Sequence, residues 1–251
     1  MRSYLAAECF KASRRLYLYL TLAVCLLGEG VLLLGSWLSL HWGNSSISFA
    51  STARMVAMIL TFGLYATLIT VDIVFSDQYK HNTLKNEVSY GLPRVRIYFG
   101  KLLVATGVSL GACAVLLGFY LGGCWLLFPH SELDEPAWSL IGYCLAGALP
   151  LWLGGEALVT TVYFLMRSNT AAAFLSIGIL AVVPAVLQVL GLLIHPFFEI
   201  IRQFFPTVML DTLHAVAFDW NYVGLCWLVG VAWCLASTAA GIALFRRKEI
   251  R

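Results

Sequence analysis

The sequence predicts an all-α membrane protein with six transmembrane helices. Three observations carry that prediction. Hydrophobic residues make up 61% of the 251 and charged residues only 12%, against roughly 25% charged in an average soluble domain; mean hydropathy is +0.85. The apolar residues gather in runs near the ~20 residues a helix needs to cross hydrocarbon. No strand-like alternation competes with these runs, which argues against a membrane β-barrel.

Each element can be justified in turn. Residues 1–15 predict an amphipathic interface helix. At about 100° per residue, Leu5, Ala6, Cys9, Phe10, Ala12 and Leu16 fall on one side, with Glu8, Lys11, Arg14 and Arg15 opposite and only Arg2 misplaced. The first span, 16–40, exceeds the apolar core of a signal peptide. It contains Glu29 and is flanked by Trp37 and Trp42, so it reads as a retained helix. Span 55–75 follows, then the polar stretch 77–101 and span 102–128. The loop 129–137, acidic through Glu132, Asp134 and Glu135, reads as solvated. Spans 138–165 and 171–194 each hold a mid-helix proline, Pro150 and Pro184, which predicts a kink. Glycines at 118, 122 and 123, and at 154 and 155, predict close helix approach.

The segment 195–219 is too polar to span and too apolar to float. With Pro196 and Pro206 breaking it, two short re-entrant or interfacial helices at the outer leaflet are expected. Span 222–245 ends the single transmembrane domain. Six spans put both termini on one side with 77–101 and 166–170. That side collects 14 of the 16 basic residues, leaving Arg54 and Arg202 opposite, so both termini are expected to be cytoplasmic. The basic balance follows from topology, and no nucleic-acid partner is expected. The Asn44-Ser45-Ser46 sequon would lie outside and is irrelevant in a bacterial protein.

Several chemistries are missing. The seven cysteines form no C-x-x-C pair and read as packing residues, with no metal site. The only Gly-Lys pair, Gly100-Lys101, is followed by Leu102, so there is no Walker A motif. H-E-x-x-H, G-x-S-x-G and a voltage-sensor arginine ladder are also absent. No internal repeat of the secondary-transporter kind is evident. The chain reads as non-enzymatic, with no catalytic residue and no cofactor of its own. Glu156 and Arg167 lie about three turns apart, too far for hydrolytic work. Four polar residues within or near the hydrocarbon are candidates for a translocation path: Glu29, Asp72, Glu156 and, more weakly, Gln188. A charge there costs at least about 2.5 kcal/mol, so each should face the bundle interior or a wet cavity. Asp72, a turn from the end of its span, has the simpler reading of reaching the interface.

The polar stretch carries the most information. It holds Lys80, Lys85, Arg94, Arg96 and Lys101 against Asp77 and Glu87, a net of +3. Thr83 to Tyr90 predicts two helical turns, broken by Gly91-Leu92-Pro93. The string Asn82-Thr83-Leu84-Lys85-Asn86, then Val88-Ser89-Tyr90-Gly91-Leu92-Pro93-Arg94, then Ile97-Tyr98 and Lys101, resembles the segment after the second span in permeases of type-2 ABC exporters. Asn82 stands where glycine is usual there, and Pro93 where serine is. The resemblance implies a cytoplasmic coupling helix docking on a separate ATPase subunit, which would hold ATP and magnesium, with Thr83, Leu84, Lys85, Asn86, Tyr90, Gly91, Arg94 and Tyr98 in the coupling region. It also implies a second permease bundle, identical or paralogous, in a bacterial cytoplasmic membrane. Compact permeases of this kind export amphipathic peptides, antibiotics or lipid-like substrates, or confer immunity to them. The alternative function is a secondary transporter using the intramembrane carboxylates for ion coupling; the third is a non-transporting sensor or scaffold.

Overall fold

In this computed structural model the described residues are 2–43, 46–76, 83–216 and 218–247. Among them every regular element is a helix. The sequon residues Asn44 and Ser45, the polar residues Asp77, Lys80 and Asn82, and the C-terminal Lys248 and Arg251 lie outside the described residues.

The chain opens with α1 (Arg2–Ser13), turns at Arg14–Arg15 and runs into α2 (Leu16–His41). Arg15 Nη2 donates to the Ser76 carbonyl at 2.7 Å, pinning that corner to the end of the second span. The predicted facing of α1 is corrected. Its inward residues are Tyr4, Leu5, Glu8 and Ala12, while Cys9 and Phe10 are exposed. Helical spacing of four sets this face, and Glu8 can occupy it because a buried cation waits there, as described below.

The predicted span 55–75 is broken. Within it lie α4 (Met55–Met58) and α5 (Leu60–Phe75), with α3 (Phe49–Ala53) just before it, and the pieces on either side of Ile59 are bent by 56°. A capping box starts α3: Ser51 N–H donates to Ser48 Oγ at 3.3 Å and Ser48 N–H to Ser51 Oγ at 2.9 Å. At the break, Trp152 Nε1 donates to the Leu60 carbonyl at 2.9 Å.

After α6 (Thr83–Ser89), the third span is longer than predicted. α7 (Arg94–Leu127) is one continuous helix starting eight residues before position 102. At 1.5 Å per residue it is about 51 Å long, against ~30 Å of hydrocarbon, so its first turns extend beyond the membrane. α8 (Asp134–Leu165) also begins early, which shortens the expected acidic loop. Asp134 and Glu135 occupy its first turn, where the helix dipole favours carboxylates.

The fifth span comprises α9 (Asn169–Ile177), a π-helical turn (Gly178–Val182) and α10 (Val183–Leu193). The π turn lies just before Pro184, and Thr207 Oγ1 donates to the Leu180 carbonyl at 3.0 Å. That carbonyl lies four residues before Pro184, which has no N–H to offer it. Pro150, in contrast, sits within an unbroken α8. Two short helices, α11 (Phe197–Arg202) and α12 (Pro206–Leu213), fill 195–219; α12 buries Thr207, Met209, Leu210 and Leu213. Tyr143 of α8 donates to the Val216 and Asp219 carbonyls at 2.7 and 3.2 Å, fixing the approach to α13 (Trp220–Arg247).

α8 is the hub: eighteen of its 32 residues are buried, whereas α2 buries only Leu33. α8 and α13 cross backbone to backbone. A Cβ on Gly154 would lie 2.7 Å from the Gly230 carbonyl, and one on Gly230 would collide with the Pro150 carbonyl. Of the other predicted glycine patch, only Gly123 meets a neighbour, Leu33. Among the described residues five helices are long and apolar enough to cross a membrane, and six if the bent pair counts as one span.

Candidate functional site

Two features stand out, one at the end of the bundle carrying α1 and α6 and one within it. α6 is seven residues long and ends in a Schellman motif. Gly91 N–H donates to the Val88 carbonyl at 3.0 Å and Leu92 N–H to the Glu87 carbonyl at 3.3 Å. The motif needs a left-handed residue, and Gly91 supplies it with φ +81°. Pro93 then stands as the N-cap of α7 with extended backbone (ψ 130°). The Gly-Leu-Pro sequence therefore stops one helix and starts the next.

The predicted coupling residues divide into two groups. Lys85, Asn86, Tyr90 and Gly91 face outward, and Tyr90 is 88% exposed. Leu84 and Tyr98 face inward and are buried. Tyr98 bonds Thr161 Oγ1 at 2.8 Å and stacks on Phe164, tying α7 to α8. Arg94 Nη1 donates to the Phe245 and Arg246 carbonyls at 2.6 and 2.8 Å, closing the end of α13. Thr83 begins α6, and its side chain lies outside what is described. An incoming partner would meet the first group; the second anchors the platform.

The anchoring is strongest at a buried ion cluster that no local pattern announces. Lys101 is fully buried, with Glu8 Oε2 at 3.0 Å and Glu87 Oε1 at 3.6 Å. Lys11, half exposed, reaches Glu8 Oε1 at 2.5 Å and Glu87 Oε1 at 3.6 Å. Tyr4 donates to Glu87 Oε2 at 3.0 Å. One ion cluster thus joins α1, α6 and α7. Burial disfavours the Glu8 carboxylate, but Lys101 and the bonds from Lys11 and Lys101 outweigh it and hold its pKa below the ordinary value. Burial likewise works against the Lys11 ammonium, yet Glu8 and Glu87 raise its pKa. Tyr4 is held protonated by burial and by both carboxylates. Nothing in the sequence marks Glu8 or Glu87 as buried, because a buried ion pair has no local periodic signature. The only available hint was a carboxylate on the same four-residue spacing as Tyr4 and Ala12.

Within the bundle a cavity of about 380 Å³ lies among α2, α4, α5, α7 and α8. It brings together two of the four predicted path residues, Glu29 and Glu156. Glu156 is 1% exposed. It accepts from Ser109 at 2.8 Å and Thr106 at 3.2 Å, and Ser109 bonds Thr70 at 2.6 Å. Asp72 lies elsewhere and accepts from Tyr163 and Asn169, each at 3.1 Å. Gln188 is on the exposed side of α10. The geometry therefore groups only Glu29 and Glu156. Among the described residues no His, Cys, Asp and Glu group is arranged to hold a metal.

These features define an all-α, multi-pass membrane protein with an anchored surface helix at one end and an acidic cavity inside. Residues 4–188 match the model of the ABC-2 family transporter proteins. That match spans 185 of the 251 residues, and the chain belongs to this family, the permeases of type-2 ABC systems. Such a permease is the transmembrane component and implies an ATPase partner. No curated protein gives a significant match.

Proposed function

We propose that this chain is the membrane subunit of an ATP-driven exporter, and that α6 is where the separate ATPase, carrying ATP and magnesium, docks and pushes. The observation that carries this reading is the division of the α6 region. Lys85, Asn86 and Tyr90 are presented outward, while Glu87 on the inner side of α6 accepts from Tyr4 of α1 at 3.0 Å and lies 3.6 Å from Lys11 and from Lys101 of α7. A rigidly held helix transmits a rigid-body displacement, whereas a loose loop absorbs it. An exposed tyrosine ringed by polar groups also has the composition of an interface anchor. On this reading the α1–α6 end is cytoplasmic and two permease bundles, identical or paralogous, enclose the path. The cargo is an amphipathic peptide, antibiotic or lipid-like molecule moved outward, with Glu29 and Glu156 on or beside its route. Basic residues crowded at this end support that sidedness.

The test is co-purification with the ATPase and measurement of transport per ATP hydrolysed in vesicles. Tyr90→Ala and Lys85→Glu are expected to weaken ATPase association at least tenfold without shifting thermal unfolding of the permease. Unchanged association and transport in both variants would overturn the assignment of α6.

A further inference from the structure

We propose that the cavity among α2, α5, α7 and α8 is a binding pocket for a small lipophilic organic cation, a compact apolar body carrying one positive centre. The walls are aliphatic and aromatic, through Leu32, Leu116, Leu149 and Trp152, and the pocket opens beside the exposed Phe62. Its volume of about 380 Å³ falls in the range of about 300–1,000 Å³ for pockets that enclose drug-sized ligands. A whole amphipathic peptide would not fit.

Charge identifies the occupant. Both ionisable carboxyl groups lining the pocket are acidic, Glu29 and Glu156, and no Lys, Arg or His lines it. Glu156 is buried and its partners there are the hydroxyls of Ser109 and Thr106, neither of them a cation. Glu29 Oε2 is buried with no hydrogen-bond partner among the described residues. A buried carboxyl group stays ionised only beside a positive partner, and an entering cation supplies the positive charge that neither Glu29 nor Glu156 has nearby. An anion of the same shape would meet two carboxylates and no base. Because α2 buries only Leu33, the wall holding Glu29 is the least tightly packed side and the one through which a ligand dissolved in the membrane would enter. Glu29 would meet the cation at the wall and Glu156 would hold it at the floor.

This deepens the export reading and rests on it only for the transport step. The purified full-length permease would be titrated with tetraphenylphosphonium and with tetraphenylborate, which share size and shape and differ in sign. The cation is expected to bind at least a hundredfold more tightly than the anion. Glu156→Gln should weaken the cation at least tenfold and narrow that gap. Ala66→Phe, which fills the pocket from its open wall, should abolish binding without lowering the unfolding temperature. Equal affinity for the two probes, or cation binding indifferent to both substitutions, would overturn the pocket. Cation binding with the expected dependence, but no ATP-driven movement of any cargo in vesicles with the ATPase, would uphold the pocket and overturn the export reading. ATP-driven peptide export without cation binding would do the reverse.

Discussion

Removing Lys101 should loosen both α1 and α6 from α7. Its ammonium is fully buried 3.0 Å from Glu8 Oε2 and 3.6 Å from Glu87 Oε1. At an effective dielectric near 20, the shorter contact represents about 5 kcal/mol of gross attraction. Desolvation of both groups cancels much of that, so the net worth of the pair is small, but loss of one partner is another matter. Lys101→Met keeps the length of the side chain and leaves Glu8, 2% exposed, with only the half-exposed Lys11 for compensation. Orphaning one member of a buried pair costs about 3–5 kcal/mol. Lys11 can swing toward Glu8, so the lower end of that range applies. A loss of about 3 kcal/mol raises local opening by about two powers of ten.

Hydrogen exchange is the appropriate assay, because the affected unit is local and global unfolding of a bundle this apolar need not report it. Amides of α1 and α6 should exchange about a hundredfold faster in Lys101→Met, while those of α8 stay unchanged. Adding Glu8→Gln to Lys101→Met should cost much less than it costs alone, since the charge it removes is already unpaired. Wild-type exchange rates in α1 of Lys101→Met, or strictly additive effects in the double variant, would refute the cluster as the fastening.

Two further outcomes follow, one from the same cluster and one from the α8–α13 crossing. Glu8 has a folded pKa below its ordinary 4.5, so its stabilisation is complete above pH 4.5 and fades as pH falls through the lower folded value. Lys11, raised above 10.5, contributes fully below pH 10.5 and fades as pH rises through its folded value. Protection of α1 should therefore be flat between those limits and fall outside them. Gly230→Leu would drive a side chain into the Pro150 carbonyl and is expected to lower the unfolding temperature or prevent assembly, with losses of about 1–3 kcal/mol or more by overpacking. An unchanged thermal midpoint would mean that α8 and α13 do not cross at these glycines.

Much of this molecule was legible because lipid imposes long apolar runs, which mark α2, α8 and α13 within about four residues at either end and α7 only at its C-terminal end. α6 was legible for a different reason: Gly91, Leu92 and Pro93 encode both a helix stop and the next start. What escaped was whatever depends on a distant partner. Polarity places Glu8 on the outer face of α1, and Lys101, far along the chain, reverses that. The bend at Ile59 has no proline or glycine at the break, and the π turn before Pro184 depends on Thr207 from another element. Glu29 and Glu156 were recognised one by one as costly residues, but only packing puts them in one cavity and leaves Asp72 and Gln188 outside it.

The cluster and the cavity share one element, and that gives the last prediction. α7 carries Lys101 in the cluster and Thr106 and Ser109 in the Glu156 network. Eight residues separate Lys101 from Ser109, about 12 Å along a helix that is unbroken between them. If the ATPase docks at α6 as proposed, its push would reach the cavity floor by translation or rotation of α7, provided that stretch is stiff. Leu103 lies in it and is 51% exposed, so truncating it disturbs little packing. Leu103→Gly should cost the helix about 1 kcal/mol of local stability and soften the connection without touching either end. ATPase association and hydrolysis are expected to persist while cargo moved per ATP falls, and Leu103→Ala should restore it because alanine keeps the helix stiff. If Leu103→Gly transports as efficiently as wild type, force reaches the cavity by another route, and the α8–α13 pair, tied to α7 through Tyr98 and Arg94, becomes the element to test.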